Sequence, residues 1–227
     1  MATPDGIVKG DEQMTAQTRN SIVGERQEPV RRLYADSPLE ALTRKAARTS
    51  AARIPPSDPF HGEVEIGTGY GVSLRFGLDR HVGGLHDAPN PGDLLCAALA
   101  ACADGSIRMV ADLLGVRLTA LEVEVSGELD VRGCLNIDRS VRVGFESLTC
   151  TVHLAADEAT DQKRLDALVA AAERACVNLD TLRGGLTVTI TTEQSLQSAG
   201  TVVKTHHGAD AELVSPVEAA ARTEFIP

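Results

Sequence analysis

The chain has 227 residues, with 32 acidic against 22 basic side chains, a net charge of −10, no tryptophan and only 3% aromatic residues. An acidic chain repels a phosphate backbone, and one so poor in aromatics offers little for base stacking or an aromatic cage, which excludes nucleic acid as a partner. Five cysteines at irregular spacing, with no Cys-x-x-Cys pair, argue against a zinc site and against a secreted disulfide framework.

No apolar run approaches the ~20 residues of a bilayer span. The first residues lack a basic stretch followed by an apolar one, as a secretory signal needs. The expectation is a cytoplasmic protein with reduced thiols, no membrane association and no cofactor. The length suits one generous domain with tails: a disordered arm over residues 1–30, a folded domain over 31–195 and a polar tail over 196–227.

In chain order, Ser37-Pro38-Leu39-Glu40 reads as a capping box opening a short basic helix to about residue 49, before Pro55, Pro56 and Pro59. Residues 61–66 and 70–76 alternate polar and apolar, predicting two strands joined by a turn at Gly67 to Gly69. A Gly/His-rich loop then leads to Asn90-Pro91-Gly92-Asp93, an N-cap, a first-position proline and a capping-box acid. The helix they open runs to Gly115, and Leu95, Leu99, Cys102, Ser106, Met109 and Leu113 share its apolar stripe. Cys96, nearly two turns before Cys102, faces elsewhere.

Residues 118–131 and 141–154 alternate as two long half-exposed strands, with a bulge expected at Ser126-Gly127 and a turn over residues 133–139. Thr160-Asp161 starts a second amphipathic helix carrying Leu165, Leu168, Val169, Ala172 and Ala175, with Cys176 at its junction with a turn. Residues 186–191 form a last strand. Strands, helix, long hairpin, helix and strand make an α+β chain with helices packed on antiparallel sheet.

The sequence around Cys102 and Cys176 is the most informative part of the chain. Free cysteines often just fill core space. Here, though, Pro-x-x-Leu-Leu, then Ala-Ala-Leu-Ala-Ala-Cys, then a long hairpin and a helix ending in Ala-Cys-x-x-x-x-Thr-Leu resembles the OsmC/Ohr family, over roughly residues 60–192. The family consists of cysteine-dependent peroxidases acting on organic hydroperoxides. The resemblance implies an OsmC-like fold, an intertwined homodimer with two long central helices and a site at the subunit interface. It implies Cys102 as the peroxidatic and Cys176 as the resolving thiol, and a dithiol reductant, in relatives often a lipoylated protein.

The family also activates its peroxidatic thiolate with an arginine held by a glutamate at the helix start. Arg75, in Leu74-Arg75-Phe76, is the candidate, with Arg80 the alternative. The glutamate position holds Gly92, so Asp93, one residue on, is the candidate for the missing carboxylate; its other role is the helix cap. Val177 stands where the family has proline. These departures keep two further readings open: a redox sensor or binder of a small apolar ligand, and a structural dimer with inert thiols. His81, His86 and Asp87 read as a flexible loop more readily than as a metal site, and Cys134 and Cys150 as structural. The pair Gly83-Gly84 lacks any phosphate-loop pattern.

Overall fold

The computed structural model describes residues 21–67, 69–195 and 202–207. Its first element is helix α1, Ile22–Asp36, capped by the Ser21 hydroxyl, which accepts from the Gly24 amide at 2.8 Å. It lies partly within the span expected to be a disordered arm. The helix is polar and carries Pro29, so its sequence gives little local signal. Long-range bonds hold it instead. Asp112, on the next long helix, accepts from the Ser21 hydroxyl and, at 2.8 Å, from the Val23 amide, while Gln27 Nε2 reaches Met109 Sδ at 3.2 Å.

The helix expected from Ser37 does not form. Ser37 makes no side-chain cap and opens only a 3₁₀ turn, Pro38–Ala41. The chain that follows becomes strand β1, Ala47–Ser50, because pairing with β2, Gly62–Ile66, overrides the local signal. Strand β3, Ser73–Phe76, completes an antiparallel sheet in the order β1-β2-β3. The β2–β3 connection uses left-handed backbone at Gly67, Gly69 and Gly71, where glycine bears no steric cost.

Helix α2, Pro91–Leu114, starts as expected: Asn90 Oδ1 accepts from the amides of Gly92 and Asp93, and Asp93 accepts from the Asn90 amide. It ends on left-handed Gly115, and Arg164 caps the Leu114 carbonyl at 2.8 Å. By length and composition this helix could cross a bilayer, with a mean hydropathy of 1.6 over its apolar window. The sequence reading found no such stretch, because it counted uninterrupted apolar residues and α2 interleaves small and polar ones.

Strands β4, Leu118–Glu128, and β5, Ser147–Ala156, pair antiparallel over nearly their whole length. Each is shorter than the alternation suggested. Val131 belongs to a one-turn helix α3, Val131–Cys134, and residues 141–146 are loop. The register shifts between Leu118 and Ala120, not at Ser126-Gly127. Helix α4, Gln162–Ala175, is capped by Asp161, which accepts from the Arg164 amide at 2.8 Å. Helices α2 and α4 pack together, and α2 lies along β4. Ile107, Val110, Ala111, Val116, Leu168 and Ala172 form the buried core, with Leu121, Val123, Val152 and Leu154 packed against it from the hairpin. The fold is α+β with antiparallel sheets, as the pattern of elements predicts.

Cys176 separates α4 from a further helix, α5, Val177–Gly184, where only a turn was expected. A second compact unit, Thr181–Pro227, contains the end of α5 and a hairpin of β6, Ile190–Ser195, with β7, Val202–His207. The last predicted strand therefore begins later, at Ile190. The rest of the polar tail lies outside the described residues.

Candidate active site

Cys102 sits midway along α2, half-buried, and Cys176 is 2% exposed. Both thiols are free, and they are hydrogen-bond neighbours. Cys176 is the residue on which one helix ends and the next begins: its amide bonds back to Glu173 in α4, and its carbonyl accepts from Asp180 in α5. The first amides of α5 thus converge on sulfur. Asn178 N donates to Cys102 Sγ at 3.4 Å, and its side chain anchors the turn by donating from Nδ2 to the Ala98 carbonyl at 2.8 Å. Burial pushes the Cys176 thiol above its ordinary range, and the hydrogen bond and charge of Cys102 push the same way. The Leu179 and Asn178 amides pull it down. Cys176 therefore holds its proton to higher pH than an ordinary thiol. A helix N-terminus aimed at a sulfur favours the anion. The α2 dipole cannot do this for a residue in mid-helix, but the amide end of α5 can.

The other candidates lie apart from the thiols. Arg75, on β3 opposite Glu63, donates from Nη2 to Asp87 Oδ2 at 2.9 Å. Arg80 starts a 3₁₀ turn, Arg80–Val82, and is exposed. Asp93 Oδ2 accepts from the Asn90 amide at 2.8 Å, closing the capping box. A Cβ at Gly92 would meet Asn90 Oδ1 at 2.9 Å and Phe145 Cζ at 3.2 Å. Any side chain at 92 would therefore disturb the cap and the ring. Among the described residues no group of three His, Cys, Asp or Glu side chains converges as a metal site; His81 and His86 both pair with Asp79.

Below the α2 start, Cys96 lines a cavity of about 470 Å³ with Asp79, Asp93, Val125 and Phe145. It adjoins a groove of about 800 Å³ whose apolar lining includes Leu78, Val82, Leu129, Val131 and Val143. Burial, then the Asp93 charge, pushes the Cys96 thiol up, which leaves it a poor nucleophile.

Residues 84–191, which hold both cysteines and the elements that bring them together, match the family model described as OsmC-like protein. The chain carries an OsmC-like domain. The same fold occurs in the solved OsmC-like protein of Mycoplasma pneumoniae, at a TM-score of 0.50 and 11% identity, covering 63% of this chain and 89% of that one. An organic hydroperoxide resistance protein of Legionella pneumophila is 26% identical, with a TM-score of 0.46, over 63% of this chain and 91% of its own. No curated protein matches the chain.

Within the OsmC-like domain, the sequence reading found both thiols but missed Asn178. Its signal was available: a cysteine followed by Val-Asn-Leu-Asp, with Asp180 in the first turn, fits a second helix start after Cys176. It also missed Asp87 as a partner of Arg75, which depends on a loop folding back onto β3 and has no local signature.

Proposed function

We propose that this protein is a thiol-dependent peroxidase that reduces organic hydroperoxides. The observation that carries the reading is the pair of neighbouring free thiols with the Asn178 amide on Cys102 Sγ, within an OsmC-like domain. The Cys102 thiolate attacks the terminal peroxide oxygen. An S–O bond forms, the O–O bond breaks, and the alkoxide takes up a proton and leaves as an alcohol. Cys176 then attacks the sulfenic sulfur, forming S–S and expelling water. A dithiol reductant, such as the dithiol of a lipoylated protein, exchanges with the disulfide and restores both thiols. The alanines and leucines around Cys102 favour apolar substrates, and five free thiols suit a reducing cytoplasm.

Arg75 supports the thiolate, and a second copy of the chain delivers it. Within one protomer its ion-pair partner is Asp87, and the β1–β3 sheet that carries it packs only marginally on the other elements. Tyr70, Val72 and Ile66 at the end of that sheet are exposed, as is Leu95 on α2. A homodimer would cover such surfaces. Asp93 contributes by fixing the α2 start.

The test is consumption of an alkyl hydroperoxide by purified protein with a dithiol present. Cys102→Ser should abolish turnover, and Cys176→Ser should permit one turnover and then accumulate overoxidised Cys102. Mass spectrometry after mild treatment should find Cys102 joined to Cys176. No Cys102-dependent consumption, or a disulfide to Cys134 or Cys150 instead, refutes the reading. One observation favours a second reading, a binder of a small apolar ligand: the groove of about 800 Å³ beside Gly92, where the family's glutamate is missing.

A further inference from the structure

Arg75 belongs to a chain of four side chains drawn from three segments. Asp87, in the loop before α2, accepts from Arg75 Nη2 on one oxygen at 2.9 Å and meets His61 Nε2 on the other at 2.9 Å. His61 Nδ1 meets Asp58 Oδ2 at 3.1 Å, and Asp58 is fixed by accepting from the Phe60 amide at 2.8 Å and the His61 amide at 3.1 Å. The His61 side chain is only 10% exposed, whereas Arg75 is 48% exposed. The charged groups that face the imidazole are Asp58 from its own loop, Asp87 from the loop before α2 and Arg75 from β3.

Both ring nitrogens face a carboxylate oxygen, and a neutral imidazole has one N–H. Both bonds are therefore made only by the imidazolium; on deprotonation one of them becomes a contact between two lone pairs. Asp93 is engaged by the helix cap, and Gly92 has no side chain. We infer that Asp87, set in place by His61 and Asp58, is the positioning carboxylate that aims Arg75 at the Cys102 thiolate. The inference rests on the reading that Arg75 supports that thiolate.

The chain of contacts also carries a pH dependence. The two carboxylates, Asp87 first, hold the imidazole's proton above its ordinary range, while Arg75 opposes them. A raised value means the doubly bonded imidazolium is complete below it and lost as pH rises through it. Asp87 is held at both oxygens on the acid side, and on the basic side the ring retains one of its two carboxylates.

The test is the rate of Cys102 alkylation in the intact protein, read by mass spectrometry across pH 6–9, alongside hydroperoxide consumption. Arg75→Ala should slow Cys102 modification at pH 7 by about tenfold, the effect of one unit of thiolate stabilisation. Asp87→Asn should lose nearly as much, Asp87→Glu should recover part of it, and the double variant Arg75→Ala/Asp87→Asn should be no slower than Arg75→Ala. His61→Gln should be slower than the parent below the imidazole's titration and equal to it above. A slow Arg75→Ala with a parent-like Asp87→Asn overturns the role of Asp87 and leaves the peroxidase reading intact. A parent-like Arg75→Ala overturns the inference, while Cys102-dependent peroxide consumption would still uphold the thiol chemistry. A His61→Gln deficit that does not change with pH overturns the part assigned to the imidazole.

Discussion

Deleting the Asn178 amide tests whether α5 supports the Cys102 thiolate. Asn178→Pro removes the backbone donor at the second position of a helix, where no intrahelical acceptor is lost, together with the side-chain bond to Ala98. Its effect is therefore read against Asn178→Ala, which removes the side-chain bond alone. A hydrogen bond to a charged group contributes about 1.5–3 kcal/mol. The N···S separation of 3.4 Å is long, which puts this one at the lower end. About 1.4 kcal/mol is a factor of ten, so Cys102 alkylation at pH 7 should slow by roughly tenfold. Asn178→Ala keeps the amide and loses only the side-chain bond to the Ala98 carbonyl, a net contribution of about 0.5–1.5 kcal/mol to the local fold. It should slow the reaction by roughly two- to threefold through a looser turn. The assay is the alkylation rate of Cys102 followed by peptide mass spectrometry, with circular dichroism to establish that each variant is folded. A folded Asn178→Pro protein that alkylates Cys102 at the parent rate would refute the argument.

Three other outcomes are expected. Leu168, on α4, is fully buried in the core cluster with α2 residues, against which the β4–β5 hairpin packs, so Leu168→Ala should cost about 2–5 kcal/mol in urea unfolding; a loss below about 1 kcal/mol would mean the site collapses freely. The Ser21 hydroxyl, then the Val23 amide, holds the Asp112 carboxyl below its usual range, so its contribution to docking α1 is present at neutral pH and lost as pH falls through that lowered value. Hydrogen exchange should show α1 amides losing protection on acidification before the α2 core does, and Asp112→Ala should bring the same loss at pH 7. Light scattering at micromolar concentration should give a dimer; a monomer would count against delivery of Arg75 by a second copy.

Much of the central fold was legible because it is locally encoded. Asn90, Pro91, Asp93 and Gly115 fix both ends of α2, and alternation along β4 and β5 marks the hairpin. The failures share a cause. Helix α1 depends on Asp112, far along the chain, and β1 exists because β2 lies beside it, against a capping signal at Ser37. Similarly, the two cysteines could be found from their flanking motifs, whereas Asn178 and Asp87 acquire their roles only when α5 and a loop are brought to Cys102 and Arg75. The bulge at Leu118 was missed because Gly127, the expected site, serves another purpose: a Cβ there would meet the Phe145 ring at 2.6 Å.

The position of Cys176 between two helices gives oxidation a backbone signature. While both sulfurs are reduced, the Asn178 and Leu179 amides have electron-rich acceptors. A Cys102–Cys176 disulfide would weaken both acceptors, leaving the opening turn of α5 with donors that only water can satisfy. The turn that steadies the reduced pair would then fray once the pair is joined, exposing the disulfide to the incoming reductant. Turnover would thus be coupled to a local order–disorder step at residues 177–180, with the oxidised form opening its own path to reduction.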